Sequence, residues 1–434
     1  MKVSFTSLGC AKNLIDSEQM VALVAAAGHT IVDDPTAAEA AVVNTCAFID
    51  AAQQEAIDKI LELAQLKQNG GLKRLIVTGC LPERYQGDIL KELPEIDAVL
   101  GTGSFPEIVQ AIETPQLHYA SFVDKNAPLP ELDRYVTTGP SWAYIKVADG
   151  CDNRCAYCVI PSIRGKYRSR PLQAVVDEAR GLAQGGIQEL ILVAQNLTHY
   201  GRDFRDGTNL VTLLKELAAI DGIHWIRLHY MYPHEMTDEL IDYIAAEPKI
   251  CKYLDIPLQH VNDSILRRMR RPENKQIILD LLQKLRERIP GVVIRTSLIV
   301  GLPGEGEAEF NELAEFLQQQ RLPRVGVFTF SPQEGTPAYE MTDRCSEEEA
   351  EARRDRIMAA QQDIMDEYDA EQIGKVFEVL CEGFDGVYFT GRRFADSPEV
   401  DEEVLFTGED AQPGQFVSVR ITAAEDGCLI GEMI

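Results

Sequence analysis

Val147-Ala148-Asp149-Gly150-Cys151-Asp152-Asn153-Arg154-Cys155-Ala156-Tyr157-Cys158 puts three cysteines at Cys-x3-Cys-x2-Cys spacing on one short segment. Three thiolates this close along the chain can hold three corners of a cubic iron–sulfur cluster. Such a cluster needs four ligands, so one iron would stay open to something that is not protein. A structural zinc site normally closes with four protein ligands. No further Cys or His lies nearby to close this one, and the next histidine is His199.

Outward from the triplet, apolar runs at 143–147, 189–194, 225–229, 253–257, 292–300 and 325–330 read as buried parallel strands. Helical periodicity at 172–184, 237–246, 277–288 and 307–319 separates them. Six such units predict an incomplete βα barrel with its site at the strand carboxyl ends, where the triplet falls.

Upstream, 3–8, 40–44 and 74–78 read as strands, with helices at 15–27, 51–67 and 86–93. This pattern predicts an open parallel α/β sheet. Cys10, Cys46 and Cys80 each come just past one of these strands. Parallel strands bring their carboxyl ends to one edge, so the three are expected to converge as a second metal site. The bland alternative is three unrelated small core residues.

A proline-bearing linker, about 114–139, separates domains expected at 1–113 and 137–367. A long charged helix at 346–367 leads to a third domain, 370–434. There, short runs at 375–381, 386–390, 403–407, 415–421 and 429–433 predict a small antiparallel barrel. The chain is therefore read as α/β, with a β-barrel at its carboxyl end.

Sixty-nine Asp and Glu against 42 Lys and Arg give a net charge of −27 over 434 residues. Such a surface repels phosphate backbones, so RNA contact is not expected to dominate and a basic protein partner fits better. From Glu371 to Ile434 there are 14 acidic and four basic residues. Residues 1–7 carry no apolar signal region and no run approaches membrane-spanning length, so a cytoplasmic protein without membrane contact is expected. Ten cysteines in that reducing compartment favour metal or redox use over disulfides; Cys251, Cys345, Cys381 and Cys428 lack metal spacing.

The open-iron triplet resembles the radical S-adenosylmethionine (SAM) enzymes. With its second trio and terminal barrel, nearly the whole chain resembles the methylthiotransferase family. The run Ser7-Leu8-Gly9-Cys10-Ala11-Lys12-Asn13-Leu14-Ile15-Asp16-Ser17-Glu18 looks like the branch that modifies a ribosomal protein, RimO. So do Tyr157-Cys158-Val159-Ile160-Pro161-Ser162-Ile163-Arg164-Gly165, Tyr253-Leu254-Asp255-Ile256-Pro257-Leu258-Gln259-His260 and Ala395-Asp396-Ser397-Pro398-Glu399-Val400-Asp401. The last carries most weight because it falls in the terminal domain, of the TRAM type, that recognises substrate in that family.

The resemblance implies two [4Fe–4S] clusters, a radical-generating one on Cys151, Cys155 and Cys158 and an auxiliary one on Cys10, Cys46 and Cys80. It implies methylthiolation of the β-carbon of an aspartate in the decoding-centre protein of the small ribosomal subunit. One SAM would supply the methyl group and another a deoxyadenosyl radical. Partners would be that basic ribosomal protein, bound partly through the acidic terminal domain, and an electron-donor protein. The rival activities are methylthiolation of a tRNA adenosine and a non-enzymatic, metal-binding role on the ribosome.

Individual site residues carry two readings each. Tyr157 would cover the adenine of SAM or close the cluster loop against solvent. Gln195 and Asn196 end the second barrel strand and either donate to SAM or cap the next helix. Gly301 would let the backbone approach adenine. His260 reads as a structural histidine in preference to a site residue. Arg164, Lys166, Arg168 and Arg170 would orient SAM or a carboxylate substrate, whereas Arg267, Arg268, Arg270 and Arg271 read as a solvated face. Asn196 stands where RimO relatives commonly carry Asp, and Ser297 where many radical SAM enzymes carry Gly. No residue is singled out as a catalytic acid, base or nucleophile.

Overall fold

The computed structural model describes residues 1–425 and 427–434. Strands β1 (Lys2–Ser7), β2 (Thr30–Ile31), β3 (Ala40–Thr45), β4 (Arg74–Gly79), β5 (Ala98–Leu100) and β6 (Tyr119–Ser121) form a parallel sheet ordered β2-β1-β3-β4-β5-β6. Every residue of β3 is buried, as a central strand covered on both faces requires. Met20 and Val24 of the helix Ala11–Ala26 pack with Ile108 and Ala111 on one face. Ala56, Ile60 and Leu63 of Asp50–Gln68 cover the other.

Two expectations change here. Residues 119–121, read as linker, pair with β5 and complete the sheet; three residues among prolines are too few to show a period of two. The helix expected at 86–93 breaks. The chain turns helical at Cys80–Tyr85, leaves that conformation at Gln86 (φ 43°), and regains one turn at Ile89–Glu92.

The central domain contributes β7 (Trp142–Lys146), β8 (Ala148–Asp149), β9 (Arg168–Ser169), β10 (Glu189–Val193), β11 (Trp225–Leu228), β12 (Ile250–Asp255), β13 (Val293–Val300) and β14 (Arg324–Thr329). Six of them run parallel in chain order, β7-β10-β11-β12-β13-β14. This is the expected partial barrel. Leu172–Gln184, Leu210–Ala218, Asp238–Ala246, Lys275–Arg288 and Glu307–Gln320 lay their apolar faces, including Val175, Leu213, Ile241, Leu282 and Phe310, on its outside. The ribbon β8–β9 is antiparallel and pins both ends of the cysteine loop. Among the described residues, no helix is long and apolar enough to cross a membrane.

After the helix Glu347–Ala370, strands β15 (Val376–Phe384), β16 (Phe389–Arg392), β17 (Val404–Thr407), β18 (Phe416–Glu425) and β19 (Cys428–Met433) close a barrel, β15-β16-β17-β19-β18. It is not antiparallel throughout: β17 and β19 pair in parallel. Up–down alternation cannot close around an odd number of strands, so one pair must run the same way.

This barrel packs against the amino ends of the central strands. Leu380, Ala395 and Phe416 meet Trp225, Cys251 and Val293. Glu189 lies buried between Arg227 and Arg392, 2.7 Å from each. The segment after β16 enters the central domain from below. Ser397 Oγ bonds His229 Nε2 at 3.0 Å, Tyr253 donates to Asp401 at 2.6 Å, and Arg324 contacts Asp396 and Glu402 at 3.1 Å. Residues 395–398, in the domain that the resemblance makes the substrate-recognising one, are buried against the central domain. An incomplete barrel leaves an open lower end, and this segment fills it.

The same junction carries a pH dependence. Burial pushes the Glu402 carboxyl up to about 7 against the pull of Arg324, with the neighbouring Asp369 adding to the rise. The folded state therefore holds a proton that the unfolded chain, near pH 4.3, has released. Its favourable contribution is complete below that value and is lost as pH rises through about 7. Between pH 5 and 8 the urea midpoint should fall by the equivalent of about 1–3 kcal/mol, and Glu402→Gln should flatten that slope. An identical slope in the variant would place the titration elsewhere.

Candidate functional site

Two groups of thiols lie at the strand ends of the first two domains. In the first, Cys151 and Cys155 are buried and Cys158 is partly so. The loop that carries them is stitched down by backbone bonds, Cys151 N–H to Gly165 O at 3.1 Å and Ala156 N–H to Met269 O at 2.9 Å. Burial raises the Cys151 thiol to about 11 despite the Asn153 amide, and the charge of Cys155 adds to the rise. Cys158 is raised further for the same two reasons, burial and Cys155. Three thiolates in so dry a place would coexist only around cationic charge, such as a bound metal centre supplies; without it the raised thiols keep their protons.

Beside this loop opens a cavity of about 770 Å³ lined by Tyr157, Gln259, Ser297, Gly301 and Phe330, with Phe48 of the first domain at its rim. That volume suits a nucleoside-sized ligand. Gly301 has φ 76°, and a Cβ there would lie 2.7 Å from Ala350 Cβ, so packing against the helix Glu347–Ala370 already demands glycine.

The second group is built by three strand ends. Cys10 caps the helix Ala11–Ala26, Cys46 follows β3, and Cys80 begins the helix Cys80–Tyr85. Asn13 ties the three loops together. Its Nδ2 donates to Leu8 O at 3.0 Å and Thr45 O at 2.9 Å, and its Oδ1 lies 3.8 Å from Cys80 Sγ. At Gly9 (φ 91°) a Cβ would come 2.7 Å from Cys46 Cβ, so only glycine lets the first loop close on the second. Burial pushes Cys80 up to about 12 against the pull of Arg164, and the charges of Cys10 and Cys46 push it further. Cys10 goes the other way: burial opposes ionisation, but Lys12 and Arg164 outweigh it.

A buried charge network joins the groups. Arg164, six residues past Cys158, donates to Asp16 at 2.9 Å, Asp149 at 3.0 Å and Cys80 Sγ at 3.7 Å. Lys146 pairs with Asp16. Gln195 Nε2 donates to Asp149 Oδ1 at 2.8 Å, two residues before Cys151. Asp149 is pushed up by burial, but Arg164 and Lys146 more than reverse that and hold it well below the usual carboxylate range.

The site differs from the sequence reading in several places. Tyr157 and Gly301 share the cavity, but Gln195 belongs to the charge network instead. Asn196 donates to Glu235 at 2.8 Å in a buried cluster with Thr198. His260 is fully buried and accepts from the Asn262 N–H at 3.0 Å, a structural role. In the first basic run, Arg164 and Arg170 are spent on internal carboxylates. In the second, Arg271 is buried, not solvated, with its guanidinium 4.6 Å from the Tyr232 ring centroid. Asn13 was missed because an asparagine three residues past a cysteine has no distinctive period; its place in the first helical turn is the only clue.

Six free thiols in two trios are the donor type that an iron–sulfur cluster takes. Among the described residues, no three His, Cys, Asp or Glu groups are arranged to hold a single metal ion. A cubane spreads its sulfur ligands over separate irons and asks for a wider ring.

Comparison with known proteins places each part. The family model of the Radical SAM superfamily matches residues 145–317, that of the uncharacterized protein family UPF0004 residues 2–101, and that of the TRAM domain residues 373–434. The ribosomal protein uS12 methylthiotransferases RimO of Pelobacter propionicus and Geobacter sulfurreducens are each 46% identical to it, over 100% of this chain and 98% of theirs. Among solved structures, the radical SAM methyltransferase TsrM from Kitasatospora setae aligns with a TM-score of 0.55 at 15% identity, over 78% of this chain and 76% of that one. The cobalamin-dependent SAM radical enzyme OxsB aligns at 0.52 and 11% identity, over 84% and 56%. At those identities the likeness is one of fold.

Proposed function

We infer the reaction from one premise: this chain belongs to the RimO family of ribosomal protein uS12 methylthiotransferases. It methylthiolates an aspartate of uS12, at the side chain's β-carbon, by radical SAM chemistry with two [4Fe–4S] clusters. The observation that carries this reading is the pair of cysteine trios bound into one buried network through Arg164 and Asp149.

Cys151, Cys155 and Cys158 would hold the radical-generating cluster, and Cys10, Cys46 and Cys80 the auxiliary one. When bound, the cluster and SAM together supply one-electron cleavage of a sulfonium and so the means to take hydrogen from an unactivated carbon. The chain's residues bind, orient and exclude water. Tyr157 and Gly301 form walls of the nucleoside cavity. Gln195 acts through Asp149, fixing the backbone that leads into Cys151; the Gly150 N–H donates to the same carboxylate oxygen at 2.8 Å. Arg164 offsets the negative charge that two thiolate trios bring into a dry interior.

The acidic terminal barrel is the docking surface for the basic ribosomal protein. Two of its four cations, Arg392 and Arg393, are buried in ion pairs with Glu189, Glu382 and Asp396. Its outer face is therefore still more acidic than its composition, which favours a cationic protein over RNA. A separate electron-donor protein completes the cycle.

Anaerobic reconstitution with iron, sulfide, SAM and a reductant, followed by mass spectrometry, tests this reading. A uS12 peptide bearing the target aspartate should gain one methylthio group, with about eight irons per chain. Modification of tRNA with the peptide untouched, or stoichiometric zinc without sulfide, would overturn it.

A further inference from the structure

Ten lysine and arginine side chains are buried among the described residues. Nine of them have a carboxylate oxygen within 4.0 Å. Lys12 is the tenth. It is only 7% exposed, and among the described residues no carboxylate, carbonyl or hydroxyl accepts from its ammonium. Among the described residues the Tyr230 ring lies against it, its centroid 3.9 Å from Nζ, and the Cys10 sulfur, two residues back, is an anionic charge beside it. An aromatic face attracts a cation but leaves its three N–H donors unspent. A buried charge in that condition is costly unless an opposite charge arrives.

The position of this ammonium is specific. Lys12 sits in the first turn of the helix Ala11–Ala26, two residues past Cys10. Tyr230 follows β11 at the carboxyl edge of the partial barrel. Tyr230 has φ 63° and donates its N–H to Asp255 Oδ2 at 3.2 Å. A tyrosine in the left-handed region is strained, and the fold maintains it where the first domain meets the barrel mouth. Neighbouring cations offer no alternative, since Arg164 and Lys146 are already committed to Asp16 and Asp149. Among the described residues, Lys12 is the one buried cation there that no carboxylate already pairs.

We propose that Lys12 binds the side-chain carboxylate of the substrate aspartate. This rests on the methylthiotransferase reading and names the residue that selects its substrate. The carboxylate is bonded directly to the β-carbon that receives sulfur, so a cation holding it places that carbon within one bond of a fixed point. Asparagine has nearly the same shape but no charge, and would leave the ammonium buried without an anion. A site built around a buried charge rejects such an analogue strongly.

The test is binding to the full-length, cluster-loaded enzyme, using fluorescently labelled uS12 peptides with Asp or Asn at the target position. Wild type should bind the Asp peptide at least about tenfold more tightly. In Lys12→Met the ratio should fall to about one, and in Lys12→Arg much of it should return. Iron and sulfide content and the cluster EPR spectra report whether each variant is loaded. An Asp-over-Asn preference undiminished in Lys12→Met overturns the proposal. So does a variant whose only change is a shifted auxiliary-cluster potential, for Lys12 would then be a counter-charge to Cys10. Should Lys12→Met not load, an unchanged preference in a glutamine variant, Lys12→Gln, overturns it equally. A wild-type enzyme that methylthiolates neither uS12 nor its peptide would instead remove the underlying reading, and this assignment with it.

Discussion

Cys80→Ala is expected to abolish methylthiolation while leaving reductive cleavage of SAM to 5′-deoxyadenosine, and Cys158→Ala is expected to abolish both. The asymmetry follows from where the two thiols sit. Cys158 shares a loop with Cys151 and Cys155 beside the cavity lined by Tyr157 and Gly301, whereas Cys80 lies on the first domain's sheet edge, held by Asn13 and Arg164. Each trio leaves no spare cysteine to substitute for a lost ligand. Iron should fall from about eight to about four per chain in either variant, because a cubane with two protein ligands is not retained. The fold should survive, since removing one sulfur from a buried site costs far less than a core cavity of leucine size. Anaerobic iron analysis, chromatography for 5′-deoxyadenosine and mass spectrometry of the peptide check all three statements. Full iron content with normal methylthiolation in Cys80→Ala would dissolve the second site.

Arg164→Met should destabilise the fold strongly. It strips the shared cation from Asp16 and Asp149, which are 3% and 4% exposed, leaving Lys146 alone between them. Removing one partner from a buried ion pair costs about 3–5 kcal/mol because the other charge stays behind uncompensated. Lysine should rescue only part of this, for a single ammonium cannot reproduce the guanidinium fork that spans both carboxylates and Cys80. The sign of the pH dependence is fixed by Asp149, whose carboxyl is held low in the fold. Its contribution is present above the unfolded value near 3.9 and is lost as pH falls through the depressed one. The gap between wild type and Arg164→Met should therefore be full at pH 7 and shrink below about pH 4. Urea midpoints across that range test it. A midpoint at pH 7 equivalent to less than about 0.5 kcal/mol from wild type would mean that the network holds without its hub.

The lower barrel end limits how the acidic terminal domain can act. Its 395–398 segment is buried against the central domain and is not open to a docked protein. Fixing Arg324 and Glu189 against that domain also makes it one body with the barrel rather than a tethered module.

Much of this architecture was present in the order of residue types. Buried Val, Ile and Leu runs of five or six residues, alternating with amphipathic stretches, specify parallel strands with intervening helices, and all six barrel strands lie where those runs are. The position of Cys10, Cys46 and Cys80, each two residues past such a run, already implied one shared edge. Local pattern carries this information because a strand's burial on both faces is written in its own side chains. Other features needed tertiary structure. The parallel β17–β19 pair follows from ring closure, and the Tyr119–Ser121 strand exists only because β5 offers it an edge. Asp16 and Arg164 lie 148 residues apart, and nothing in either neighbourhood names the other as its partner. Arg271, drawn under Tyr232, and Lys12, left without an anion, look in sequence like any surface cation. Periodicity says which side chains leave water; only the folded chain decides which buried charges are paired.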